Sequence, residues 1–100
     1  MNIEPEKLTI TLINGSKITI RSLTLKERRD CIKFFPSEED ANIDYFKVQG
    51  DLVHYIITRS NPSFKREDVD NLIDAQSIRK ILTFALVDPF SELVKTITNV

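Results

Sequence analysis

Residues 11–20, TLINGSKITI, set an Asn-Gly pair between two runs that alternate apolar with polar side chains, and no other stretch constrains the fold as strongly. Period-two alternation around a turn dipeptide means a β-hairpin. Pair parity then decides which hairpin it is. A two-residue loop would set Leu12 opposite Lys17 and Ile10 opposite Thr19, mixing polar and apolar groups on each face. A three-residue loop of Ile13, Asn14 and Gly15 instead pairs Leu12 with Ser16, Ile10 with Ile18 and Leu8 with Ile20, and sends Thr9, Thr11, Lys17, Thr19 and Arg21 to the other face. The predicted loop is therefore a type I turn closed by a left-handed glycine, a G1 bulge, with Asn14 and Gly15 as its structural residues. A two-stranded hairpin is marginal alone, so its apolar face must lid something else. Its strand edges stay open to pairing with another chain.

The remainder of the chain is patterned for helices. In SLTLKERRDCIKFFP, Thr24 and Glu27 make a capping box and Pro36 a stop, predicting one helix whose apolar stripe is Leu25, Ile32 and Phe35 with Cys31 beside it. A longer helix follows, with Ser37 or Asn42 as its cap and Asn61-Pro62 as its break. Ile43, Phe46, Val53 and Ile57 share one stripe there, and Tyr45, Val48, Leu52 and Ile56 a neighbouring one, as suits a central helix contacted from two sides. Gly50 inside it marks close packing or a weak point. SFKREDVDNLID predicts a short helix presenting Val69, Leu72 and Ile73; Asp74 then caps a helix carrying Ile78, Ile81, Leu82, Ala85 and Leu86. Asp88 and Pro89 open a last helix in which Phe90, Leu93, Val94 and Ile97 recur at helical spacing.

These elements predict an α+β fold, an N-terminal β-hairpin packed on a bundle of about four to five helices. With 100 residues there is room for one domain and one core, residues 1–22 forming the hairpin and 24–100 the helical part. Two glycines and four prolines leave no flexible linker. No apolar run approaches the ~20 residues of a spanning helix, and MNIEPEKLT carries acids where a signal peptide carries bases, so an intracellular protein without a membrane partner is expected. Cys31 is the single cysteine, which excludes an internal disulfide.

The search for chemistry finds none. His54, the one histidine, has neither a cysteine pair nor a triad beside it, and reads as a surface or boundary residue. Glu38, Glu39, Asp40 and Asp44, and again Glu67, Asp68 and Asp70, lack the spacing of a calcium loop and suit helix starts. With only Gly15 and Gly50 there is no phosphate loop. Cys31 reads as a buried inert thiol. No catalytic residue, metal or cofactor is expected, and the protein is read as a non-enzyme.

Net charge is −1, made of +3 over residues 1–35, −5 over 36–74 and +1 beyond. Lys26, Arg29 and Lys33 align on one helix face without aromatic platforms, so nucleic-acid binding is not the first reading. Interaction surfaces remain. The terminal stripe either closes the core or is offered to a partner, and Phe90, Leu93, Val94 and Ile97 are the candidate partner-binding residues. A homo-oligomer is compatible with such faces.

The order EKLTITLINGSKITIRSLTLKERRDCIKFF, then LVHYIITRSNPSFKREDVDNLIDAQSIRKILTFALVDPF, resembles small tail assembly chaperones of tailed bacteriophages. The likeness rests on a short hairpin with a glycine turn at Gly15, the Leu23, Thr24, Glu27 helix start, residues 67–72, and the segment from Asp88 to Phe90, where asparagine is common in place of Asp88. The resemblance implies a non-enzymatic protein of the host cytoplasm. Such a protein binds the tape measure protein, helps recruit tail tube subunits, and is absent from the mature virion. Members of that family are sometimes extended by translational frameshifting. The same opening is similar to baseplate hub assembly proteins, which gives a structural baseplate component as the alternative; a small DNA-binding regulator, with a helix-turn-helix among the later helices, is the third reading.

Overall fold

The computed structural model describes residues 6–37 and 42–86. It is an α+β fold: β1 (Lys7–Thr11), β2 (Lys17–Arg21), α1 (Leu25–Cys31), a 3-10 turn (Ile32–Phe34), α2 (Tyr45–Thr58), α3 (Arg66–Leu72) and α4 (Ala75–Leu86). The predicted final helix and the acids at positions 38–40 lie outside the described residues.

The hairpin has the register that parity requires, Leu8 opposite Ile20 and Ile10 opposite Ile18. The Gly15 amide donates to the Leu12 carbonyl at 2.9 Å and the Leu12 amide to Ser16 at 2.7 Å. Gly15 has φ +89°, a left-handed conformation that a side chain would strain. Asn14 closes the turn by accepting the Ser16 amide at 3.0 Å. Ile10, Leu12 and Ile20 are buried in the same core as the helices, with Leu8 and Ile18 packed at its margin. The hairpin is thus a wall of the core.

The β2 edge is less open than the sequence suggests. In this register Thr19 and Arg21 aim their backbone groups away from β1. The Asn61 side chain donates to the Thr19 carbonyl at 3.0 Å, and the Arg21 amide donates to Ser60 Oγ at 3.3 Å. The segment leaving α2 therefore blocks β2. At the hairpin tip, the Ile13 amide donates to the Leu72 carbonyl at 2.9 Å, tying the turn to the end of α3.

Helix α2 is the central element, in contact with α3, α4 and the 3-10 turn. Leu52, Val53, Ile56 and Ile57 are buried along it, in one core with Val69 of α3, Ile73 just after that helix, and Ile81 and Ala85 of α4. Its N-cap is Asp44, accepting the Lys47 amide at 3.1 Å, rather than Ser37 or Asn42. Starting there, the first turn runs past the core, and Tyr45 and Phe46 are exposed although their spacing matches the buried stripes. Asp74 caps α4 as predicted, accepting the Ser77 amide at 2.7 Å.

Gly50 marks close packing. The Arg66 guanidinium lies across it, 2.7 Å at Cζ from where a Cβ would stand, while Nε donates to Asp51 at 2.8 Å and Nη1 to Asp70 at 3.0 Å. Gly50→Ala alone is expected to change stability little, because the helix-propensity gain of about 1 kcal/mol is offset by pushing Arg66 off Asp51. In an Arg66→Ala chain the same substitution should stabilise by about 1 kcal/mol. Urea denaturation of the four chains measures the coupling, and equal effects in both backgrounds would contradict it.

Candidate functional site

Helix α1 and the residues that follow it leave three large apolar side chains, Leu25, Ile32 and Phe35, exposed, and the rotation of the helix explains why. Thr24 and Glu27 form the predicted capping box, the Thr24 hydroxyl accepting the Glu27 amide at 3.1 Å and Glu27 Oε1 accepting the Thr24 amide at 2.9 Å. Glu27 is also gripped by Arg21 from the end of β2, Nη1 and Nη2 each donating to one carboxylate oxygen at 2.8 Å. This bidentate contact holds the Glu27 carboxyl down to about 2 from an ordinary 4.5, the Arg21 hydrogen bonds outweighing the opposing effect of burial. Arg21 reaches further, to the carbonyls of Ser22 at 3.0 Å and Arg59 at 3.4 Å.

With Glu27 turned inward, Cys31 one helical turn later also faces the core, followed by Phe34 in the 3-10 turn. Cys31 is buried, and burial, then the neighbouring Asp30 and Glu27 charges, push its thiol up, away from the reactive thiolate. Phe34 packs on Tyr55 with ring centroids 5.4 Å apart; Arg59 covers the Tyr55 ring at 4.3 Å. The stripe Leu25, Ile32, Phe35 is thereby turned outward, correcting its assignment beside Cys31 in one packed face. These residues are 72%, 65% and 54% exposed. The helix also tightens to 3-10 geometry after Cys31 instead of running on to Pro36.

Leu25, Ile32 and Phe35 line an open apolar groove of about 430 Å³, with Cys31 and Leu86 in its lining and Arg28 and Arg29 as its polar members. Arg28 Nη2 donates to the Leu86 carbonyl at 3.2 Å, so the end of α4 is tied to the groove. A second surface groove, about 400 Å³, runs between Phe46 and Gln49 of α2 and Ile78 and Leu82 of α4.

The candidate partner-binding residues Phe90, Leu93, Val94 and Ile97 lie outside the described residues. Asn14 and Gly15 hold the hairpin turn and take no part in either groove. His54 bonds the Phe64 carbonyl at 2.8 Å through Nε2, pinning the connection between α2 and α3. Lys33 pairs with Asp30 at 3.4 Å, so the basic face of α1 is broken by an acid. Among the described residues no three His, Cys, Asp or Glu groups converge as a metal site, and no helix is long and apolar enough to cross a membrane.

The chain matches no protein-family model, no curated protein and no solved structure.

What the sequence reading missed is the outward stripe of α1. The signal was present in the spacing of Glu27 and Cys31, one turn apart on the face opposite Leu25 and Ile32. It could be read only by knowing that Arg21 would claim Glu27.

Proposed function

We propose that this chain is a phage tail assembly chaperone, a non-enzymatic factor that binds apolar helical segments of the tape measure protein and helps bring tail tube subunits to it. The observation that carries this reading is the apolar groove of Leu25, Ile32 and Phe35, displayed on a helix anchored at Glu27 to the rest of the fold. Contiguous exposed apolar surface on an otherwise ordered domain marks a protein-binding site, and an amphipathic helix laid in such a groove is a common mode of recognition. The resemblance in the hairpin and the Thr24 to Glu27 helix start supplies the assembly context.

Co-expression with a tape measure fragment is the test. The fragment should become more soluble and co-elute with the wild-type chain, and Ile32→Asp, which charges the groove without entering the core, should abolish both effects. Equal fragment solubility with and without the chain would overturn the reading. Purified virions should lack the protein. Its presence in stoichiometric amount would favour a baseplate component instead.

A further inference from the structure

We propose that the outer edge of β1 pairs with the same edge of a second copy of this chain, antiparallel about a twofold axis at Thr9, so that the two hairpins form one sheet. The pairing leaves the α1 groove free and does not rest on the tail-assembly reading.

The first observation is the edge itself. The Ser22 amide donates to the Glu6 carbonyl at 2.9 Å and the Leu12 amide to the Ser16 carbonyl at 2.7 Å, so the even-numbered residues of β1 are the ones that bond β2. The amides and carbonyls of Lys7, Thr9 and Thr11 therefore point outward. They have no backbone partner among the described residues, and all three side chains are exposed.

The second is register. At the hairpin tip the Leu72 carbonyl already holds the Ile13 amide, so an added strand has only the stretch from Lys7 to Thr11 to pair with. A second β1 fills that stretch completely in one antiparallel register, with Thr9 opposite Thr9, Lys7 opposite Thr11 and Leu8 opposite Ile10. Polar residues then meet polar ones and apolar ones meet apolar ones. The Thr9 pair also extends the row begun by the Thr9 and Thr19 hydroxyls, 3.3 Å apart. Centring the pair on Lys7 instead would oppose two ammonium groups and leave most of the strand unpaired.

The third is charge, which favours a second copy over an unrelated strand. In the Thr9-centred register, Lys7 of each copy arrives at the hairpin tip of the other. That tip is tied to Leu72, and the exposed acid Asp74 follows two residues later. Lys7 has no ion-pair partner among the described residues. Unlike charges are thus brought to the same end of the paired strands, once for each copy.

Sedimentation equilibrium of the full-length chain over a concentration series tests the pairing. The wild-type chain should dimerise, and Thr9→Pro should weaken association at least tenfold while keeping the wild-type circular dichroism spectrum. Proline is tolerated at such an edge position because the amide it removes bonds nothing within one chain. Lys7→Pro serves the same purpose should Thr9→Pro not fold. Thr9→Cys should form a disulfide-linked dimer on mild oxidation, since directly opposed residues lie about 5.5 Å apart at Cα, within disulfide reach. The wild-type chain, whose one thiol is the buried Cys31, should not. Ile32→Asp should leave the dimer intact. A wild-type chain that stays monomeric, a dimer that survives Thr9→Pro, or a Thr9→Cys chain that fails to cross-link would overturn the proposal. Loss of the dimer in Ile32→Asp would overturn it too and give the contact to the α1 groove.

Discussion

Ile20→Ala is expected to destabilise the protein by about 3 kcal/mol, as much as Ile56→Ala in the middle of α2. Both side chains are fully buried, and each loses its packing contacts and leaves a cavity that a core closed from both sides refills poorly. Ile18→Ala, on the same hairpin face but only partly buried, should cost about 1 kcal/mol. Urea denaturation gives the ranking directly. A midpoint for Ile20→Ala close to wild type would mean that the hairpin is not part of the cooperative core. An unchanged slope across the series would show that all three variants expose the same surface on unfolding.

The second large effect is expected in acid. The Glu27 carboxyl is 16% exposed and held by Arg21, whose side chain is 33% exposed. Because its folded value is depressed to about 2 from 4.5, the unfolded chain takes up the proton first as pH drops. The stabilisation is therefore complete above about 4.5 and is lost progressively as pH falls towards 2. Its size is on the order of 2 kcal/mol, reduced from the full shift because the Arg21 guanidinium remains partly in water. Glu27→Gln should lose about that much at neutral pH and show a flatter stability profile between about 4.5 and 2. Thermal melts of both chains across that range check it, and parallel profiles would refute the assignment.

The same pair shows where sequence reading stops. The hairpin was legible to the register, because side-chain alternation and loop length are local and only one pairing puts Leu8, Ile10, Ile18 and Ile20 on a single face. The α1 capping box and the Asp74 cap were legible for the same reason, each being a donor and acceptor three residues apart. The α2 cap was not, because Ser37, Asn42 and Asp44 crowd one short run and the choice among them depends on where the core admits the first turn. The rotation of α1 was hidden too. A stripe of Leu25, Ile32 and Phe35 looks like a buried face until a non-local arginine turns Glu27 inward. Gly50 was ambiguous until Arg66 was found lying over it. The candidate site was thus least readable of all, since an outward apolar face and an inward one have the same spacing.

One structural detail bears on how copies of this chain could join. Ser60 and Asn61 engage the Arg21 amide and the Thr19 carbonyl on the outer side of β2, while Thr9 and Thr11 on the outer side of β1 have no backbone partner among the described residues. A sheet blocked on one side can gain a strand only on the other. Two copies meeting along β1 would close a four-stranded sheet with a blocked strand at each end, so strand pairing through this hairpin terminates at two chains and cannot propagate into a filament.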